Sequence, residues 1–175
     1  MAEALDPAIP TAVDELAKLV LREACDRNLM LTSAESCTGG LLASLLTDIP
    51  GQSHAFERGF VTYTDEAKFE MLSVPMPLLK SDGAVSEAVA RAMAEGALAN
   101  SRAHVAVSIT GYAEGGPGAS AGLVHFACLR TGGATRHRVE RYGDIGRAAV
   151  RIRALETALG MLRDELLGNP AVAAA

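Results

Sequence analysis

The sequence predicts an α/β protein: a three-layer α/β/α sandwich around a mixed, mostly parallel sheet. Through the first hundred residues, segments with apolar residues at helical spacing alternate with short runs of β-forming residues. This alternation is typical of parallel strands joined by helices. Two β-rich runs after residue 120 follow each other closely, which indicates an antiparallel pair. The 175 residues, 49% of them hydrophobic, suit a single domain over residues 1–175, with a core at about 12–167 and a frayed tail at 168–175.

Helices and strands are expected in alternation over the first half. Thr11 fits the N-cap of a first helix, with Asp14 in its first turn. The inward face of that helix is apolar, at Val13, Leu16, Ala17, Val20, Leu21 and Ala24. The next elements are expected at about 29–33 (strand), 40–47 (helix), 56–63 (strand) and 65–72 (helix).

The second half is expected to hold a long helix, three strands and a last helix. Pro75 and Pro77 are expected to break the chain. Ser86 fits the N-cap of a helix that runs to about Asn100, and small residues such as Gly96 would let it pack closely. The later elements are expected at about 104–109, 123–129 and 135–142 (strands) and 145–167 (helix).

Composition and charge exclude several classes of function. The net charge of −5 disfavours nucleic-acid binding, which depends on Lys and Arg. Three cysteines without CxxC spacing disfavour disulfides and a zinc site, and the four histidines lack ligand spacing. The N-terminus is acidic where a signal peptide is basic, and no apolar run approaches the roughly 20 residues of a membrane span. We expect a cytoplasmic protein without metal or cofactor, and the small residues on its helix faces are compatible with a homo-oligomer.

The segment 32–40 (TSAESCTGG) is the strongest candidate for chemistry. It joins a predicted strand to a predicted helix, and such junctions form the ligand crevice at the carboxyl edge of a parallel sheet. It offers the Ser36 hydroxyl and a set of backbone N–H groups that can stabilise developing negative charge. Those candidate binding groups belong to Cys37, Thr38, Gly39 and Gly40.

Lys68 is expected to lie near Ser36. Of the three lysines, only Lys68 is expected just beyond a strand end in the same layer as the serine. A Ser–Lys pair can hydrolyse an amide, because neutral lysine takes the serine proton, the alkoxide attacks the carbonyl and the lysine then protonates the leaving amine. Partial burial and a neighbouring cation such as Arg58 or Arg147 would lower the pKa of Lys68.

Each of these side chains also has a structural interpretation. Ser36 fits a helix N-cap, and Lys68 fits a solvated surface lysine. Glu35 either caps backbone N–H groups or pairs with an arginine. Cys37 is either a competing nucleophile or a small core residue. Tyr63 either hydrogen-bonds the lysine and relays a proton or packs in the sheet.

Three motifs, in this order, resemble the CinA C-terminal domain family. They are AESCTGG at 34–40, FERGFVTY at 56–63 followed by EAK at 66–68, and GAVSE at 83–87. The similarity covers about residues 12–167. The characterised enzymes of that family are nicotinamide-mononucleotide deamidases. The resemblance therefore implies hydrolysis of the carboxamide of this nucleotide to nicotinate mononucleotide and ammonia.

The resemblance also implies roles for individual residues. A serine and a lysine form the family's catalytic dyad beside a tyrosine, and these match Ser36, Lys68 and Tyr63. Thr110 lies in the segment that matches a Ser/Thr-Gly-x-Ala-Gly-Pro loop and is expected to contact substrate. Arg147 matches the arginine of a Gly-Asp-Arg region and suits a substrate phosphate.

The chain departs from the family pattern in two places. After Ala113 it reads EGGP, so the Gly-Pro is displaced and Glu114 brings negative charge towards a phosphate-bearing ligand. At 143–147 (GDIGR), two inserted residues separate Arg147 from the Gly-Asp pair. Two alternatives follow: a nucleotide-sensing or partner-binding module of the same fold without turnover, and an amidase for another nucleotide amide.

Overall fold

The computed structural model describes residues 9–115 and 118–168. Residues 169–175 of the expected tail and the displaced Gly116-Pro117 lie outside the described residues. The described elements are α1 (Thr11–Asp26), β1 (Leu31–Glu35), α2 (Leu41–Thr47), β2 (Phe56–Val61), α3 (Asp65–Leu72), α4 (Met76–Asp82), α5 (Glu87–Ala99), β3 (Val105–Gly111), β4 (Leu123–Arg130), β5 (Arg136–Arg141) and α6 (Arg147–Leu167). A 3-10 turn at Ser53–Ala55 precedes β2.

The five described strands form one sheet in the order β2-β1-β3-β4-β5. β1 pairs in parallel with β2 and with β3, whereas β3–β4 and β4–β5 are antiparallel. Four of these strands therefore run in one direction and β4 opposes them. The expected mixed, mostly parallel sheet is confirmed.

Helices cover both faces of this sheet, which confirms the three-layer sandwich. On one face, α1, α2 and α6 share a core with inward side chains of the strands, among them Leu31, Val107 and Phe126. On the other face, α3, α4 and α5 pack over a second core that includes Phe60 and Ala106. No helix in the described ranges combines the length and the apolarity needed to span a membrane.

Two expectations about helix starts were wrong. Pro10, not Thr11, occupies the N-cap position of α1, and no side chain caps that end. Pro75 and Pro77 do not break the chain but open α4, with Pro75 at the N-cap and Pro77 in the first turn. The first N–H groups of a helix have no intrahelical acceptor, so proline costs nothing there.

Two expectations about α5 are confirmed. The Ser86 hydroxyl accepts the Val89 N–H at 3.3 Å and caps the helix. Gly96 lies where α5 crosses α3, and a Cβ on it would stand 2.0 Å from the carbonyl oxygen of Leu72. A side chain at this position would therefore force the two helices apart.

Candidate active site

A cleft of about 400 Å³ opens at the edge of the sheet where β1, β2 and β3 end. Parallel strands present their carboxyl ends together, so the loops that follow them meet at this edge. Six of the nine predicted site residues line the cleft, as does Glu114: the six are Ser36, Cys37, Tyr63, Lys68, Thr110 and Arg147. Thr38, Gly39 and Gly40 lie in the turn between β1 and α2 and are not among the residues that line the cleft.

Ser36 and Lys68 face each other in this cleft. The Lys68 Nζ lies 3.5 Å from the Ser36 Oγ, although 32 residues separate them in sequence. Ser36 follows β1 directly, and its N–H donates to the Ile109 carbonyl of β3 at 2.9 Å. Lys68 lies on α3, which follows β2. The sheet therefore brings together the two residues that the sequence places at neighbouring strand ends.

Lys68 is buried, with 1% of its surface exposed. Its ammonium group donates to the backbone carbonyls of Thr62 at 3.0 Å and Tyr63 at 3.3 Å. Burial is the main influence on its pKa and lowers it, while the negative charge of Asp65 acts in the opposite direction. The surface interpretation of this lysine is therefore wrong.

The expected cationic neighbour does not lower the pKa of Lys68. Arg58 lies at the start of β2, where its guanidinium pairs with Glu57 at 2.7 Å and donates to the Asn100 carbonyl. Arg147 lines the cleft but is not among the groups that shift Lys68. Burial alone drives the pKa downwards.

Glu35, rather than Ser36, caps α2. Its fully buried carboxylate accepts the N–H groups of Gly40, Leu42 and Ala43 at 2.9 to 3.2 Å, and the Ser33 hydroxyl at 3.3 Å. A carboxylate at a helix start satisfies N–H groups that have no intrahelical acceptor. The helix-cap interpretation of Ser36 is therefore wrong, and its hydroxyl faces the lysine.

The turn after Ser36 leaves two backbone N–H groups without an acceptor among the described residues, those of Cys37 and Thr38. The Gly39 N–H donates to the Ser36 carbonyl at 3.1 Å, and the Gly40 N–H donates to Glu35. Of the four predicted donors, these two are thus already used inside the turn. Of the other two, Cys37 lines the cleft and is a candidate to receive an anionic oxygen, whereas Thr38 is fully buried and does not line the cleft.

Sequence reasoning missed Arg151. This residue lies on α6, and its guanidinium donates to the Thr38 carbonyl at 2.5 Å, although 113 positions separate the two residues in sequence. The Thr38 side chain is fully buried. In the sequence, Arg151 lies four residues after Arg147 on a predicted helix. Residues i and i+4 lie on the same face of a helix, so this spacing could have pointed to Arg151. Arg151 holds the turn from behind, and Arg147 reaches the cleft.

The other predicted residues have distinct surroundings. The Thr110 hydroxyl donates to the Ala84 carbonyl at 2.7 Å, which ties the segment before α5 to the end of β3. The Tyr63 side chain is 65% exposed, so it does not pack in the sheet, and its hydroxyl forms no hydrogen bond within the described residues.

Cys37 is a poor competitor to Ser36 as nucleophile. Its thiol is buried, and this burial raises its pKa to about 12. The reactive form of cysteine is the thiolate, which is scarce at such a pKa. The core interpretation of Cys37 therefore fits its surroundings better.

Comparison with known proteins agrees with these observations. Residues 13–166 match the family model described as CinA C-terminal domain. A CinA-like protein of Anaeromyxobacter sp. (strain Fw109-5) is 44% identical over 161 residues, which are 90% of this chain and 39% of the relative. A CinA-like protein of Akkermansia muciniphila is 49% identical over 132 residues, 73% of this chain and 31% of the relative.

A solved structure is also similar. The competence/damage inducible protein CihA from Agrobacterium tumefaciens has a TM-score of 0.85 and 46% identity over 88% of this chain and 95% of its own. This chain spans no more than about two fifths of the curated relatives, yet nearly all of that solved chain. The chain belongs to the CinA C-terminal domain family.

Proposed function

We propose that this chain is an amidohydrolase that deamidates nicotinamide mononucleotide through a Ser36–Lys68 dyad. One observation carries the proposal: a buried lysine amine of lowered pKa lies 3.5 Å from a serine hydroxyl on the surface of a cleft. The resemblance to a family whose characterised enzymes act on this nucleotide supports the substrate. The products are nicotinate mononucleotide and ammonia.

Lys68 acts first as a base and then as an acid. In its neutral form it takes the Ser36 proton as the oxygen attacks the carboxamide carbon, and it gives that proton to the departing nitrogen, which leaves as ammonia. Water then repeats the sequence on the acyl-serine, releases the carboxylate and restores the hydroxyl. The Thr62 and Tyr63 carbonyls hold the amine towards Ser36 in both steps.

The free N–H group of Cys37, which lines the cleft, receives the carbonyl oxygen when it becomes negatively charged. Loss of one such donor typically costs roughly 100- to 1000-fold in rate. Arg147 stands at the rim of the same cleft without an ion pair among the described residues, and its guanidinium suits the substrate phosphate. Cavities of this volume fall within the range of small-molecule sites.

The test is ammonia release from nicotinamide mononucleotide by purified protein. Ser36→Ala and Lys68→Met are each expected to lower turnover at least roughly a thousandfold, because each removes half of the dyad. Ser44→Ala and Lys80→Met, at exposed positions outside the cleft, serve as matched controls. Circular dichroism verifies folding. No ammonia from well-folded wild type, at any pH from 6 to 10, would show that the protein is not this deamidase.

The pH profile adds a test that concerns Lys68 alone. The neutral amine is the active form, so kcat/KM is expected to rise about tenfold per pH unit below the pKa of Lys68 and to level off above it. Asp65 raises that pKa, so Asp65→Asn is expected to move the rising limb to lower pH. If the rising limb of the pH profile does not move in this variant, the limb reports the titration of a group other than Lys68.

A further inference from the structure

Three charged residues line the cleft, and two of them have no ion-pair partner within residues 9–115 and 118–168. Lys68 binds Ser36 and two carbonyls. Glu114 and Arg147 carry opposite charges, yet neither forms an ion pair or a side-chain hydrogen bond within the described residues. Two opposite charges that face one cleft without neutralising each other are suited to a ligand with charges of both signs.

Two of the three tyrosines of the chain line the cleft. These are Tyr63 and Tyr112, and their exposed fractions are 65% and 36%. The faces of such rings attract cations. Tyr112 and Glu114 lie two residues apart in the segment 112–115 after β3, which we call the loop wall.

We propose that the loop wall selects ligands with a positively charged aromatic ring, through the Glu114 carboxylate and the Tyr112 ring, while Arg147 holds an anionic group at the other end. This inference rests on the proposed function and assigns its selectivity for a positively charged ring to Glu114 and Tyr112. The ring of nicotinamide mononucleotide carries this positive charge beside the carboxamide. The charge of Glu114, unfavourable for a phosphate alone, becomes favourable for such a zwitterion.

The oxidised and reduced forms of nicotinamide mononucleotide differ in the charge of the ring and in the aromaticity that accompanies it. They share the phosphate, ribose and carboxamide, but only the oxidised ring is cationic. Calorimetry on the Ser36→Ala protein measures both dissociation constants without turnover. The oxidised form is expected to bind about tenfold more tightly, a size typical of combined charge and cation–π contacts at a partly exposed site.

The variants assign this preference to residues. Glu114→Gln and Tyr112→Leu are each expected to reduce the ratio of the two constants about threefold. Arg147→Gln is expected to weaken both forms equally and leave the ratio unchanged. Glu70→Gln removes the same charge from an exposed position on α3 outside the cleft and is expected to change neither constant.

The outcomes of these binding measurements either support or overturn the inference. An unchanged ratio in both loop-wall variants, equal binding of the two forms by the parent, or binding of neither would overturn the inference. Ammonia release without a ring-charge preference would leave the proposed reaction standing and overturn this selectivity. A ring-charge preference without ammonia release would support the selectivity and overturn the reaction.

Discussion

Two walls of one cleft differ in how their polar groups are satisfied. We call the first the strand wall, formed by Ser36 and Cys37 directly after β1 and by Lys68 on α3, the helix that follows β2. It is buried, and the Lys68 amine in it and the Glu35 carboxylate behind it are each held by several hydrogen bonds. The loop wall is exposed at Glu114, and that carboxylate has no partner among the described residues. Under the proposed function, turnover would depend on the buried strand wall and ligand choice on the exposed loop wall.

The largest expected effect on stability lies behind the strand wall, at Glu35. Glu35→Gln replaces one carboxylate oxygen by an NH₂ group that faces backbone donors, so at least one buried N–H loses its acceptor. We expect the free energy of unfolding to fall by about 3 kcal/mol, the range for broken buried charged hydrogen bonds. Urea unfolding measures this.

The matched control for Glu35 is Glu70→Gln, since Glu70 is exposed on α3. Its effect is expected to stay below about 0.5 kcal/mol, as for most surface substitutions. Equal losses in the two variants would show that the helix cap contributes little. The difference between the walls would then lie in exposure alone.

A smaller effect is expected at Arg151, which supports the strand wall from α6. Arg151→Gln removes the guanidinium that holds the Thr38 carbonyl, so the turn that carries the Cys37 N–H group loses its fixed position. If the proposed reaction holds, we expect kcat to fall about tenfold with KM nearly unchanged, because this donor would act on charge that develops in the transition state. Steady-state kinetics separates the two constants.

Arg153 provides the control for Arg151 on the same helix. It is exposed and pairs with Glu156 at 3.1 Å, so Arg153→Gln is expected to leave both constants unchanged. Arg151→Lys keeps the charge without the planar guanidinium and is expected to restore part of kcat. A rise in KM with constant kcat in Arg151→Gln would instead give this arginine a role in substrate binding.

The sequence was sufficient to predict the layers, the sheet type and the meeting of Ser36 with Lys68. The alternation of helices and strands along the chain predicts the layers and the sheet type. The positions of Ser36 and Lys68 just after neighbouring strands predict that they meet. The Arg151 contact had no such signal, because its acceptor is a backbone carbonyl 113 positions away. Both interpretations of Glu35 fitted the sequence, and only the register of α2 against β1 decides between them. α4 was missed because a proline in the first turn looks the same in sequence as one that ends a helix.

The smallest expected effect on stability lies in the loop wall. Glu114→Ala removes an exposed carboxylate without a described partner, so the free energy of unfolding is expected to change by less than about 0.5 kcal/mol. Urea unfolding beside Glu35→Gln gives the comparison directly. A loss above about 1.5 kcal/mol would show that Glu114 stabilises the fold. In that case both the strand wall and the loop wall would contribute to the stability of the fold. A substitution that changes ligand selectivity at Glu114 would then also change the free energy of unfolding.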